Sequence, residues 1–417
     1  MPKTPSVYDS LQNLVDRFEA NLEQYKASGY KEASVRVDYI DKFFELTGWD
    51  VRNDAGKAEQ YRDVVREDSV EVDGHQKAPD YCFRVGGAKK YFVEAKKPSV
   101  NLHDDIAPSL QLRRYSFSAK LSLGILTDFE EFSIFDTRVK PDKKDKASTA
   151  RIFYCTFRDY LKPCTYEGKD YPTTFDFIKS IFSKEAIESG SFDTWASTNT
   201  KRGTSEMDKE FLALISDWRE NLAKNIAMRN LAITVRDLNT AVQRIIDRLV
   251  FLRFAEDRGA ERERMLHEAG ATKGAYAALM DVFETARIKY NSELFEKNEM
   301  LESVQIDDKV LSDIIKSMYF PDCPYEFSVM PLEILGAAYE QFLGKTVRIE
   351  GGDKRHKAVV EEKPEVRKAG GVYYTPQYIV EYIVKETVGV KLEGRTPKEA
   401  AALTIVDPAC GSGSFLI

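Results

Sequence analysis

The spacing of apolar residues divides the chain into regions of different predicted structure. Near the start, apolar positions recur every three or four residues over Ser6–Tyr25 and Glu32–Thr47, which predicts two amphipathic helices. Short apolar runs bounded by turn residues then predict four strands, at Tyr81–Val85, Tyr91–Lys96, Leu121–Thr127 and Glu131–Asp136. Gly86-Gly87 indicates a hairpin turn between the first two strands, and Gln111–Lys120 a helix between the strand pairs.

The pattern becomes helical from about residue 190 to residue 345. Four segments there have helical spacing: Phe211–Ala223, Val235–Arg258, Gly274–Ile288 and Leu332–Leu343. Residues 346–370 are charged and glycine-rich, so we expect a linker or an exposed loop. After them we predict a helix over Tyr373–Val388, a buried strand at Leu403–Val406 and a glycine-rich loop. The predicted domains are therefore 1–185, 186–345, the segment 346–370, and 371–417.

Composition narrows the class of protein. With 43% hydrophobic and 31% charged residues, the 417-residue chain has the make-up of a globular protein. Its five cysteines form no CxxC pair, so we expect reduced thiols, a cytoplasmic location and no zinc site. No apolar run is long enough to predict a membrane span. The net charge of −7 disfavours coating of DNA by bulk charge, but 61 Lys and Arg residues allow a local basic groove.

Two carboxylates and a lysine mark the first candidate site. Glu94 and Lys96 alternate along one predicted strand and therefore share a face. The predicted hairpin brings Asp80, at the start of the preceding strand, close to Glu94. Two converging carboxylates suit Mg²⁺, which neutralises phosphate charge and acidifies water in phosphodiester hydrolysis, and a nearby lysine can stabilise developing negative charge.

Pro79-Asp80 followed by Glu94-Ala95-Lys96 resembles the PD-(D/E)xK nuclease family, in the form found in type I restriction subunits and fused restriction–modification enzymes. Glu32 resembles the additional acidic residue of that family. Gln111 and Tyr115 resemble its Q-x-x-x-Y element, which lies near the active site and the DNA. The resemblance implies a catalytic set of Asp80, Glu94, Lys96, Glu32, Gln111 and Tyr115, with the metal held by Asp80 and Glu94.

Each of these residues also has a structural interpretation. Glu94 and Lys96 can form a solvated ion pair at a strand end. Glu32 can stabilise the first turn of its helix, and Gln111 and Tyr115 can be neighbours on a helix surface.

The second candidate site is the loop Asp407-Pro408-Ala409-Cys410-Gly411-Ser412-Gly413. Glycines in such a turn allow the backbone to approach a ligand closely. The run resembles motif I of DNA adenine-N6 methyltransferases, which binds S-adenosylmethionine. Upstream, the stretch with Tyr374, Thr375 and Pro376 resembles motif X of the gamma-type order. The resemblance implies cofactor contacts by Tyr374, Thr375, Pro376, Asp407, Pro408, Ala409, Gly411 and Gly413.

The sequence departs from that family after the loop. It lacks the (N/D/S)-P-P-(Y/F) motif that orients the target adenine, and any target-recognition region. We therefore expect a truncated methyltransferase, without methylation activity and with poor or no cofactor binding.

Together these resemblances imply an α/β multidomain chain similar to type IIG restriction–modification enzymes. We expect a PD-(D/E)xK-like mixed sheet flanked by helices, an all-α connector, and the beginning of a Rossmann-like methyltransferase. The expected cofactors are Mg²⁺ or Mn²⁺ for the nuclease and S-adenosylmethionine in the intact protein. The expected partner is double-stranded DNA, with self-association as a route to double-strand cleavage and no membrane. Two alternatives stay open: an adenine methyltransferase with an inactive nuclease-like domain, and a non-catalytic DNA-binding or assembly subunit.

Overall fold

The computed structural model describes most of the chain: residues 5–27, 29–66, 78–199, 206–331, 334, 336, 344–351, 356–363, 375, 377–410, 413, 415 and 416. The chain forms two compact units. The first comprises residues 1–207, 254–263 and 318–330, and the second comprises 208–253, 264–317 and 331–417. Within the described ranges no helix combines the length and apolar character needed to cross a lipid bilayer.

A six-stranded sheet forms the centre of the first unit, with its strands in sequence order. The strands are β1 (Val64–Val65), β2 (Tyr81–Val85), β3 (Ala88–Ala95), β4 (Leu123–Thr127), β5 (Glu131–Asp136) and β6 (Arg151–Thr156). Neighbouring strands are antiparallel except β3 and β4, which are parallel. A parallel pair requires a crossover, and the helix Ile106–Ser118 supplies it. The sheet is therefore mixed, and the expectation of a mixed α/β protein is confirmed.

Alternation along the strands buries both faces of this sheet. One face carries the aromatic residues Phe83 and Tyr91. It packs against helices that precede the sheet in sequence and against helices that follow it. The other face, with Phe92 and Leu126, packs against the helix Ile106–Ser118. Strand ends on the second face are consequently shielded from solvent, which bears on any polar group placed there.

The flanking helices of the first unit overlap the predicted helical segments as far as residue 120, whereas those from residue 174 onward were not predicted. They are Val7–Ala20, Leu22–Lys26, Glu32–Val35, Asp41–Leu46, Ile106–Ser118, Thr174–Phe182, Lys184–Glu188 and Ser191–Thr198. A π-helical turn, Arg36–Ile40, joins Glu32–Val35 to Asp41–Leu46. A small hairpin, β7 (Cys164–Tyr166) and β8 (Lys169–Tyr171), completes the described elements of this unit. The strands β1, β7 and β8 were not predicted from sequence because each has only two or three residues. The strand β6 was also not predicted, although its residues 152–155 form an apolar run.

Residues 318–330 attach to the helix Ile106–Ser118, far away in sequence. Arg114 Nη2 donates to Glu326 Oε2 at 2.9 Å, and the Arg114 guanidinium lies 4.2 Å from the Phe320 ring centroid. The Glu326 backbone N–H donates to Ser118 Oγ at 2.8 Å. A segment more than two hundred residues later in the chain therefore holds the helix that carries Gln111 and Tyr115.

The second unit is largely helical. Its main helices are Met207–Arg229, Val235–Asp257, Met265–Ala271, Ala275–Tyr290, Glu299–Ser303 and Asp308–Lys316, with Met207 and the last turn of the second helix assigned to the first unit. The predicted helix Leu332–Leu343 lies almost entirely outside the described residues.

Residues 346–370 are not simply a linker or loop. Lys345–Glu350 and Lys357–Glu362 form an antiparallel pair, β9 and β10. Val347 and Ala358 are buried, so the pair has one apolar side despite its many charges. In β9 the apolar Val347 and Ile349 alternate with the charged Arg348 and Glu350, which is the period of two typical of a strand. The charges and glycines of the whole segment favoured the linker interpretation instead.

The C-terminal region contains the predicted helix but not the predicted strand. Gln377–Val384 continues through a π-helical turn, Lys385–Gly389, into Val390–Leu392. Residues 403–406, expected to form a buried strand, have no strand conformation, and Val406 is 85% exposed. A strand needs a hydrogen-bonded neighbour, and the described part of the chain places none beside this segment.

Candidate active site

Asp80 and Glu94 face each other at the end of the β2–β3 hairpin. In the antiparallel register Tyr81 pairs with Val93, so Asp80 and Glu94 occupy the next opposing positions. Residues opposite each other in a ladder project to the same face of the sheet. Both side chains are fully buried. Gly86 and Gly87, with φ of 59° and 85°, make the tight turn that pairs Val85 with Ala88. A bulge between Phe83 and Arg84 then shifts the register by one residue and brings Asp80 opposite Glu94.

Two donors from different elements hold Asp80. Its Oδ2 accepts a hydrogen bond from the Ala95 backbone N–H at 2.7 Å, which ties the carboxylate to β3. Its Oδ1 accepts from Arg36 Nη1 at 3.2 Å, and Arg36 Nη2 donates to the Asp80 carbonyl at 3.1 Å. Each oxygen of the buried Asp80 carboxylate therefore accepts a hydrogen bond, which fixes its orientation.

The Glu94 carboxylate is only half satisfied. Lys96 Nζ donates to Oε1 at 2.5 Å, whereas Oε2 is buried with no hydrogen-bond partner among the described residues. Burial, reinforced by the negative charge of Asp80 and opposed by Lys96, raises the pKa of Glu94 to about 8. Burial alone would lower the pKa of Lys96, but the charges of Glu94, Asp80 and Glu32 outweigh it and raise that pKa.

Glu32 reaches the same cluster from the helix that precedes the sheet. Its Oε2 lies 4.0 Å from Lys96 Nζ. Burial raises the pKa of Glu32, while the positive charge of Lys96 partly opposes the shift. The structure thus brings Asp80, Glu94, Lys96 and Glu32 together.

Tyr115 borders this cluster, on the face of the sheet that the helix Ile106–Ser118 covers. It is buried, and burial together with the negative charges of Glu326 and Glu94 raises the pKa of its hydroxyl. Gln111 lies one turn earlier on the same helix and is half-buried. The two residues are therefore near neighbours on a helix that packs over the site.

The donor set fits a hard divalent cation. No group of three or more His, Cys, Asp or Glu side chains arranged for a metal occurs in the ranges that the structure describes. Mg²⁺, however, is commonly held by one or two protein carboxylates and keeps several waters. The buried, unpaired Oε2 of Glu94 is a group that needs a partner, and a buried carboxylate left without one is costly. Asp80 and Glu94 are thus suited to Mg²⁺ or Mn²⁺.

The sequence analysis overlooked Arg36, which contacts Asp80 directly. A signal was present, because Arg36 follows Glu32 by four positions and so lies on the same helix face. The π-helical turn that begins at Arg36 could not be anticipated from that spacing.

The second candidate site is only partly described. Tyr374, Pro376 and Gly411 lie outside the described residues, and Thr375 is exposed ahead of the helix Gln377–Val384. Asp407 Oδ1 accepts a hydrogen bond from the Ala409 backbone N–H at 3.0 Å, with Pro408 between them at the surface. Gly413 has a φ of 84° and donates its N–H to the Cys410 carbonyl at 2.7 Å. The first contact closes a side-chain turn at Asp407, and the second joins Gly413 to Cys410.

Comparisons with known proteins place both candidate sites in context. Residues 332–417 match the N-6 DNA Methylase family. The chain is also 34% identical over 412 residues to the type II restriction enzyme and methyltransferase RM.Eco57I of Escherichia coli. That alignment covers 98% of this chain but 40% of the relative, so the chain spans about two fifths of the length of the enzyme it matches. No solved structure matches.

The resemblance to fused restriction–modification enzymes is thereby confirmed along nearly the whole chain. By sequence, the chain is similar to a type II enzyme named for both restriction and methylation, and its residues 332–417 match the N-6 DNA Methylase family.

Proposed function

We propose that the first unit is a metal-dependent DNA endonuclease of the PD-(D/E)xK type. The observation that carries this proposal is the facing pair Asp80 and Glu94, buried together, with Lys96 bonded to one Glu94 oxygen and the other oxygen unpaired. A purely structural ion pair would not require a second buried carboxylate opposite the first, since like charges brought together in a low-dielectric site repel each other.

Asp80 and Glu94 are the residues that would hold Mg²⁺ or Mn²⁺. When bound, such an ion supplies neutralisation of phosphate charge and a lowered pKa for water. Lys96, mostly buried beside Glu94, keeps its proton and presents a positive charge where negative charge develops during phosphodiester cleavage. Glu32 lies at the edge of the same cluster and contributes to holding the Lys96 ammonium.

Gln111 and Tyr115 would line the approach of the DNA to this centre. Their helix covers the face of the sheet on which Glu94 lies. The negative charge of Glu94 contributes to the raised pKa of the Tyr115 hydroxyl. We assign them positioning roles beside the substrate. Self-association of two chains would allow both strands of a duplex to be cut.

The nuclease assignment is tested by incubating the chain with supercoiled plasmid in Mg²⁺ or Mn²⁺, with and without a chelator. Wild type is expected to nick or linearise the DNA only with metal, and Lys96→Ala is expected to lower the rate by about 10²-fold or more, the usual cost of removing one stabiliser of transition-state charge. Lys89→Ala is the matched control, because Lys89 lies at the exposed opposite end of the same strand, β3. Equal cleavage by Lys96→Ala and wild type would show that the activity does not come from this site.

For the C-terminal region we propose binding of S-adenosylmethionine by a Rossmann-like domain of which residues 371–417 are part. Support comes from the N-6 DNA Methylase match, from the side-chain turn at Asp407 and from the hydrogen bond that joins Gly413 to Cys410. The methyl acceptor in the longer protein would be adenine N6. Equilibrium dialysis with labelled cofactor tests this: Asp407→Ala should weaken binding, whereas Glu399→Ala, an exposed helix-start residue nearby, should not.

A further inference from the structure

Arg36 makes two contacts with one residue of the proposed centre. Its guanidinium donates to the Asp80 side chain at 3.2 Å and to the Asp80 backbone carbonyl at 3.1 Å. We propose that Arg36 is a positioning residue that holds the Asp80 carboxylate in the orientation needed for metal binding. The proposal rests on the nuclease function proposed above and adds a residue that neither the sequence motif nor the comparisons assign.

The Arg36 guanidinium also contacts a buried aromatic ring that is itself held by hydrogen bonds. It lies 4.9 Å from the centroid of the Tyr81 ring. The Tyr81 hydroxyl donates to Asp41 Oδ1 at 2.7 Å, and Arg66 Nη1 donates to Asp41 Oδ2 at 2.9 Å. Contacts therefore run from Arg66 through Asp41, Tyr81 and Arg36 to Asp80, mostly through buried side chains.

The helix geometry at this point favours a dedicated role. Arg36 begins the π-helical turn Arg36–Ile40 inside an otherwise α-helical segment. Such turns insert an extra residue, change the direction in which side chains project, and occur often at functional sites. Glu32, one turn earlier, faces the same cluster.

The two-point contact requires the shape of arginine. A planar guanidinium can donate two N–H groups to two acceptors in fixed directions, whereas a lysine ammonium carries the same charge without that fork. Because Ala95 N–H fixes the other carboxylate oxygen, loss of the fork would free one end of Asp80 while leaving the net charge unchanged. Arg36→Lys therefore separates orientation from charge.

Arg36→Met removes both the fork and the positive charge. Without that charge, the cluster of Asp80, Glu94 and Lys96 becomes more negative, which favours a divalent cation and offsets part of the loss of orientation. A residue that only stabilised the fold would give a different pattern, with both variants losing stability and function in parallel.

The experiment measures three quantities on wild type, Arg36→Lys and Arg36→Met: Mn²⁺ affinity by electron paramagnetic resonance, the rate of plasmid cleavage at saturating metal, and thermal unfolding in chelator. We expect Arg36→Lys to weaken Mn²⁺ binding and to slow cleavage, each about tenfold. We expect Arg36→Met to slow cleavage at least as much but to weaken Mn²⁺ binding less. Arg158→Lys is the matched control, because Arg158 also makes a two-point contact, with Glu19, at the exposed surface.

The outcomes separate this inference from the function it rests on. If wild type shows no metal-dependent cleavage that Lys96→Ala removes, the nuclease proposal fails. If wild type cleaves and Arg36→Lys matches it within twofold in both affinity and rate, only the role of Arg36 is overturned. Failure of both variants to fold would make Arg36 a structural residue and would equally overturn the inference.

Discussion

The buried Glu94 carboxyl would make the proposed metal binding dependent on pH. Burial and the neighbouring Asp80 raise its pKa to about 8, so below that pH the side chain holds a proton in the absence of metal. A carboxyl must lose its proton to ligate a cation. Binding of Mn²⁺ near neutral pH is therefore expected to release a proton from Glu94.

The magnitude follows from the pKa. Two pH units below it, at about pH 6, roughly 1% of Glu94 is ionised, so the apparent Mn²⁺ affinity should be ~100-fold below its limiting value, or ~2.7 kcal/mol weaker. Affinity should rise about tenfold between pH 6 and pH 7 and level off above about pH 8. Lys96 does not contribute to this slope, since its pKa is raised and it stays protonated throughout.

Isothermal titration calorimetry with Mn²⁺ tests this expectation. Repeating each titration in two buffers of different ionisation enthalpy gives the number of protons released, expected to be close to one per ion at pH 7. Glu94→Gln, which keeps the shape of the side chain, should abolish tight binding. Glu32→Gln should retain the pH slope, and Glu19→Gln, at the exposed surface, should behave as wild type. An affinity that changes less than twofold from pH 6 to pH 8 would refute the reasoning.

Three further outcomes are expected. Without metal, the folded state holds a proton on Glu94 that the unfolded state releases. The Glu94 contribution to the free energy of unfolding should therefore fall by up to ~1.4 kcal/mol per pH unit between about pH 5 and pH 8. Urea titrations should show this slope in wild type relative to Glu94→Gln. Gly124→Ala should destabilise the first unit by about 1–3 kcal/mol in urea unfolding, because an added Cβ would lie 3.0 Å from Leu112 Cδ1 in the tightly packed space between β4 and its helix; a stability equal to wild type would contradict this packing. Gly270→Ala should destabilise the second unit, since its Cβ would lie 2.7 Å from Ile315 Cδ1. The double variant with Ile315→Val should recover part of the loss, and strictly additive effects would argue against that contact.

Local patterns were sufficient for the elements that surround the proposed nuclease site. The strands Tyr81–Val85 and Glu131–Asp136 have the predicted bounds, and the Gly86-Gly87 turn has the positive φ angles that its sequence indicates. The turn alone did not give the facing positions of Asp80 and Glu94, because its register, continued along the hairpin, would place Asp80 opposite Val93. The bulge between Phe83 and Arg84 shifts the pairing by one residue.

Elements that are defined by pairing with another segment were harder to predict from the sequence. Half of the residues in the strands β9 and β10 are charged, and the pairing of the two strands with each other defines them. The segment 403–406 has the composition of a strand, but no described neighbour pairs with it. Composition describes the tendency of a segment, whereas pairing requires a second segment whose position local sequence does not give.

A bulge between Phe83 and Arg84, which the two-residue turn does not predict, places Asp80 opposite Glu94. The sequence by itself determined that Glu94 and Lys96 share one face of a hairpin strand, because side-chain alternation is a local property of the backbone. Only the tertiary structure decided their electrostatic state. Three contacts between segments distant along the chain set that state. The helix Ile106–Ser118 covers the site, Arg36 reaches it from a π-helical turn, and residues 318–330 attach to the covering helix. Desolvation and charge pairing depend on those distances in space, and they turn an ordinary Glu-x-Lys pattern into a buried site with an unpaired oxygen.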